Sequence, residues 1–227
     1  MFKYESCMWE SVAQWMQALK LAVKSEFILP WGICDLVGLS FNKRNVTHRL
    51  KLGQNRPISS VIRAALLLRI PDVETCKSIT IRQLNDEYSP AVSPEEVREH
   101  THRLIEDGFV IQRPGDRLQK LNGWMPLQKR LIAVELKLNR VIEALSQAKN
   151  NFGFATESYV ALPQDVALRV IKNVSKRNDF TESGVGLLAV TRSSCDVVIR
   201  SSKKTSADNF LQLYCVEKFW RTRSKGN

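Results

Sequence analysis

Strand-like and helix-like segments take turns through the second half of the chain, and that alternation limits the fold more than any other feature. Residues 131–138 read as a strand, 139–150 as a helix, 158–162 as a strand, 163–174 as a helix and 184–191 as a strand. Period-two apolar runs interleaved with period-3.6 runs predict an α/β architecture. A strand at 196–199 and a basic amphipathic helix at 207–221 follow. The N-terminal part suits the same plan. Residues 5–22 put Met8, Val12, Trp15, Met16 and Leu19 on one helical face, and strand-like runs at 26–29 and 32–41 flank Pro30, Trp31 and Gly32.

The middle of the chain has another character. A basic, Asn-containing connection spans 42–56. Residues 58–70 are apolar at helical spacing and stop at Pro71, and a short helix is expected at 81–88. Ser93, Pro94, Glu95 and Glu96 form a capping box with Pro at the first helical position, so a helix runs from there to about residue 107. Two short strands, 109–112 and 117–121, surround a turn at Pro114, Gly115 and Asp116.

A length of 227 residues suits one large domain or two small ones, and a 44% hydrophobic, 25% charged composition excludes a disordered tail or a fibre. Apolar runs such as 64–68 and 185–190 fall far short of the ~20 residues that span a bilayer, and no secretory leader is recognisable. No membrane association and a cytoplasmic location are the expectations. Five cysteines without a Cys-x-x-Cys pair argue against a zinc site or a disulfide framework. The net charge of +11 points to a polyanionic partner, nucleic acid by default. Its distribution is uneven. Residues 1–42 carry −1, residues 43–129 carry +5 and residues 130–227 carry +7.

Within the strand at 131–138, Glu135 and Lys137 are two residues apart and share a face. Unpaired buried charge is costly, so the two either pair with neighbours at a sheet rim or do chemistry. Asp35 is a second lone acid in an apolar strand. Two carboxylates on neighbouring strands offer hard oxygens to Mg²⁺ or Mn²⁺, and an adjacent lysine offsets developing negative charge.

These segments resemble the PD-(D/E)XK, restriction-endonuclease-like nuclease superfamily, with its αβββαβ core. The features that carry the resemblance are Glu5 in the first helix, Glu26, Cys34-Asp35-Leu36-Val37, Val134-Glu135-Leu136-Lys137-Leu138, the helix with Glu143, Gln147 and Ala148, and the strand from Tyr159. The resemblance implies a metal-dependent DNA phosphodiesterase. In it Asp35 and Glu135 are metal ligands, Lys137 is the catalytic lysine, and Glu5 and Gln147 approach the site. On the helical wheel Glu5 lies at about +60° from Met8, on the inward face, while Glu10 faces out.

Asp35 and Glu135 lie 100 positions apart, and residues 57–125 account for the gap. Three helices followed by a hairpin, with Leu104 leading into Gly108, Phe109 and Val110, resemble a winged helix-turn-helix domain inserted into a core of residues 1–42 and 130–227. Arg98 and Arg103 on its third helix, and Arg113, Arg117 and Lys120 on its wing, are the expected DNA-binding residues. A protein-contact or homodimer role is the alternative for the module. In the last helix, Phe210, Leu213, Tyr214, Phe219 and Trp220 lie beside Lys218, Arg221, Arg223 and Lys225, a pattern for docking on the core or for stacking on bases. The main alternative to an enzyme is a non-catalytic, DNA-binding regulatory protein that retains the nuclease fold, or a partner-dependent nuclease subunit.

Overall fold

A computed structural model describes residues 2–122, 125–204 and 208–223. A 3-10 turn, Glu5–Met8, leads into α1 (Trp9–Ala18), β1 (Ala22–Leu29), β2 (Gly32–Phe41), α2 (Lys43–Lys51) and α3 (Val61–Arg69). Next come β3 (Ile79–Thr80), α4 (Ile81–Tyr88), α5 (Pro94–Glu106), β4 (Val110–Arg113) and β5 (Arg117–Lys120). The remainder is β6 (Gln128–Leu136), α6 (Val141–Asn151), β7 (Glu157–Pro163), α7 (Gln164–Lys172), α8 (Val174–Ser183), β8 (Gly186–Val190), β9 (Cys195–Ile199) and α9 (Asn209–Arg223). No helix among the described residues is long and apolar enough to cross a membrane. The chain divides into two compact units, one of Met1–Ser40 with Gln128–Gln212, the other of Phe41–Leu127 with Leu213–Asn227.

The first unit is α/β. Its sheet has the order β1-β2-β6-β7-β8-β9; β1 is antiparallel to β2, β6, β7 and β8 run parallel, and β9 is antiparallel to β8. Side-chain alternation sorts the strands into two cores. Val134, Leu136, Tyr159, Ala161, Leu188 and Val190 pack with Met8, Val12 and Met16. Val160, Leu162, Leu187 and Ala189 pack with Ala148 of α6, Val166 and Val170 of α7, and Phe180 of α8. Helices therefore cover both faces, and every residue of β7 is buried.

In the second unit α3 and α4 each pack on α5, beside a three-stranded antiparallel sheet of order β3-β5-β4. Helix starts are fixed by side chains. The Ser60 hydroxyl caps α3, and Thr80 with Gln83 and Ser93 with Glu96 form capping boxes on α4 and α5. The last turns of α9 join this unit through a buried pair, Arg49 and Glu217. Arg49 also donates to the carbonyls of Gln54 and Arg56, and its guanidinium lies 4.2 Å from the Trp220 ring centroid.

Several expectations are corrected. The first helix is shorter than 5–22, because it begins as a 3-10 turn and ends before Lys20, which takes a φ of 60°. The basic connection at 42–56 contains a helix, α2, nucleated by the Asn42 side chain accepting from the backbone of Arg44 and Asn45. The helix expected at 163–174 is α7, and a further helix, α8, capped by Asn173, follows it over a stretch for which no element was expected. The first unit ends inside α9, after Gln212.

Candidate active site

Strand β2 neighbours β6 in the sheet, so residues 100 apart in sequence lie side by side. The Leu136 N–H donates to Asp35 Oδ2 at 2.7 Å, and Asp35 and Glu135 are near enough for each to perturb the other's ionisation. Glu135 is 4% exposed. Its Oε1 accepts from Asn151 Nδ2 at 2.7 Å, a donor supplied by the last turn of α6. The same Nδ2 is 3.7 Å from Cys34 Sγ, which in turn is 3.7 Å from the Val134 carbonyl.

Lys137 lies one residue past the end of β6, yet its N–H still donates to the Ala161 carbonyl of β7. Its Nζ is 3.7 Å from Glu5 Oε2. Glu5 Oε1 accepts from the Leu138 N–H at 3.4 Å, so this half-buried acid holds both the ammonium and the backbone that carries it. The 3-10 turn at Glu5–Met8 sets the acid there, anchored by fully buried Met8.

The electrostatics follow from burial. Burial pushes the Glu135 carboxyl up to about 7, the charge of Asp35 adds to this, and the Asn151 amide opposes it. Asp35 is raised for the same first reason, against the Leu136 N–H and the Lys137 ammonium. Burial and the two carboxyls push the Cys34 thiol well above its ordinary range, so it stays protonated and is no nucleophile.

Asp35, Glu135, Lys137 and Glu5 thus form one connected group. Gln147 is on α6, one turn before Asn151 and on the same helical face, and its Oε1 is buried without a hydrogen-bond partner. Glu26 is exposed and takes a φ of 45°; the register of β1 and β2 sets it across from Asp35. Among the described residues no group of three His, Cys, Asp or Glu side chains could hold a metal ion.

Of the expected DNA-binding residues, Arg98 and Arg103 pair with Glu95 and Glu99 on their own helix. Arg113 and Arg117 are exposed, stand opposite each other in the β4–β5 register and have no ion-pair partner among the described residues. Lys120 is half-buried, and burial lowers its ammonium pKa. In α9, Phe219 and Trp220 are buried, and the Trp220 indole donates to the Asn55 carbonyl, so neither ring offers a stacking surface. Residue 207, Lys225 and the side chains of Arg221 and Arg223 lie outside the described residues.

Asn151 and Cys34 carry no role in the sequence reading, yet Asn151 donates to Glu135 and lies against Cys34. Asn151 was reachable, since it follows Gln147 by four residues on one helix. Cys34 had no signal beyond its place next to Asp35.

No family model and no curated protein matches the chain. A solved structure, the SPO1766 protein of unknown function from Silicibacter pomeroyi, is similar at 9% identity and a TM-score of 0.47, over 99% of this chain and 88% of that one.

Proposed function

We propose that the chain is a cytoplasmic, metal-dependent nuclease that hydrolyses DNA phosphodiester bonds. The observation that carries this reading is the placement of two carboxyls, half-buried Asp35 and buried Glu135, beside the ammonium of Lys137. The element order of the first unit, α1-β1-β2-β6-α6-β7, supports a restriction-endonuclease-like core. Three helices with a β3-β5-β4 sheet support a winged helix inserted between β2 and β6.

The residues fit a hard divalent cation. Both carboxyls are raised by burial, and a neighbouring carboxylate adds to each rise, Asp35 to that of Glu135 and Glu5 to that of Asp35, a penalty that Mg²⁺ or Mn²⁺ would relieve. Two protein carboxylates are enough for Mg²⁺, which keeps several positions for water and phosphate oxygens. When bound, the ion supplies Lewis acidity at the phosphate and acidifies water. The protein does the positioning. Asn151 fixes the Glu135 carboxyl and the Leu136 N–H fixes Asp35. Glu5 holds the Lys137 ammonium where negative charge builds on the phosphoryl oxygens.

A second reading, a non-catalytic DNA-binding protein on the same fold, is favoured by one observation. The network is closed without a cation, since Glu135 has Asn151 and Lys137 has Glu5. Supercoiled plasmid incubated with Mg²⁺ or Mn²⁺ separates the two. Wild type nicks it, and Lys137→Ala slows nicking by roughly 100-fold or more, the scale of losing one electrostatic stabiliser. Equal nicking by both proteins, or none by wild type, overturns the enzyme reading.

A further inference from the structure

Between Asp35 and Asp72 the sequence has no Asp or Glu but seven Lys and Arg. Four of the seven meet carboxylates from elsewhere in the second unit: Arg49 meets Glu217, Arg56 and Arg63 meet Asp107, and Arg69 meets Glu87. The other three, Lys43, Arg44 and Lys51, have no ion-pair partner among the described residues. All three are exposed, all belong to α2, and with Thr47 and His48 they surround a depression of about 380 Å³. Positions 43, 47 and 51, and 44 and 48, form adjacent rows one turn apart, so the charges share a face. The opposite side of α2 is fixed by buried Val46 and Arg49.

Lys43 and Arg44 occupy the first turn, the end where the helix dipole is already positive, an arrangement that an anion relieves. The Asn42 cap already uses the N–H groups of Arg44 and Asn45, which leaves the side chains to bind that anion. From Lys43 to Lys51 the helix rises roughly 12 Å, enough for its charges to meet about three consecutive phosphates of one DNA strand.

We propose that this face of α2 is a DNA-backbone contact in which Lys43, Arg44 and Lys51 each neutralise a phosphate. DNA as the polyanion rests on the nuclease reading. The site adds sequence-independent affinity and carries no base readout.

The test uses the full chain and a fluorescent DNA duplex, with EDTA present to stop cleavage, and reads anisotropy across a salt series. Each lost phosphate contact reduces the slope of log affinity against log salt by ~0.9. Lys43→Gln/Arg44→Gln/Lys51→Gln therefore flattens it by roughly 2 to 3, with an unchanged melting temperature. Should the triple variant melt early, Lys51→Gln alone flattens the slope by about 0.9 and Lys51→Arg restores it. An unchanged slope in a folded variant overturns the α2 contact, whatever the plasmid assay shows. Wild type that binds heparin or anionic vesicles but not the duplex overturns it too. A flattened slope with no nicking by wild type keeps the contact and removes the nuclease.

Discussion

Glu135 is the residue at which burial and charge conflict most directly. In the cation-free protein its carboxyl is pushed up to about 7, above its ordinary value, so the fold favours the protonated form. The resulting stability is fully present below the unfolded pKa, near 4.5, and is lost as pH rises through the folded value of about 7. Asp35 is raised as well and adds in the same direction. Between those limits, stability falls by up to ~1.4 kcal/mol per pH unit for one such group. Glu135→Gln, which mimics the neutral acid, removes most of that slope and leaves the protein more stable than wild type above about pH 7 in EDTA. Melting curves across pH check this, and a wild-type melting temperature that climbs from pH 5 to 8 would contradict it. Mn²⁺ is expected to restore wild type at high pH and to leave Glu135→Gln little changed.

At the scale of elements, strands β7 and β8 show how one small residue sets the packing. Gly186 faces Tyr159 in the parallel register, and a Cβ there would meet the Tyr159 ring at 2.2 Å and the Ser201 backbone nitrogen at 2.8 Å. The Tyr159 ring cannot retreat freely, because Trp15 packs edge-on against it at 5.4 Å and its hydroxyl donates to Glu157. Gly186→Ala is therefore expected to destabilise the first unit by about 1–3 kcal/mol, read as a lower midpoint in urea. Elements whose signal is local were legible in the sequence. The Ser93 capping box and the hairpin turn at Gly115 appear where expected, because caps and turns depend on a few adjacent residues. What needed tertiary information was not legible. Helix α8 has no apolar periodicity and buries only Phe180, and α2 is polar enough to read as a linker until Asn42, Val46 and Arg49 find their partners. In the site, Asp35, Glu135 and Lys137 stood out as charges in apolar strands, and Glu5 through the family resemblance and its place on the helical wheel. Asn151, an uncharged side chain near a helix end, did not.

At the scale of the whole chain, each unit is assembled from two separate segments. The second depends on Glu217, 1% exposed, which accepts from Arg49 and from the Ile58 N–H at 2.7 Å. Glu217→Ala strands a buried guanidinium and is expected to cost roughly 3–5 kcal/mol, whereas Arg49→Met/Glu217→Leu removes both charges and recovers most of it. Comparing the two in urea distinguishes loss of a partner from loss of packing; equal losses would show that the charge pair is not what holds α9. The pair also fixes a schedule. Glu217 is 168 residues downstream of Arg49. At ~5–20 residues per second of translation, Arg49 waits roughly 10–30 s for its carboxylate. During that interval the nascent second unit presents an open, half-apolar socket, a recognition target for chaperones and proteases before it belongs to the finished protein.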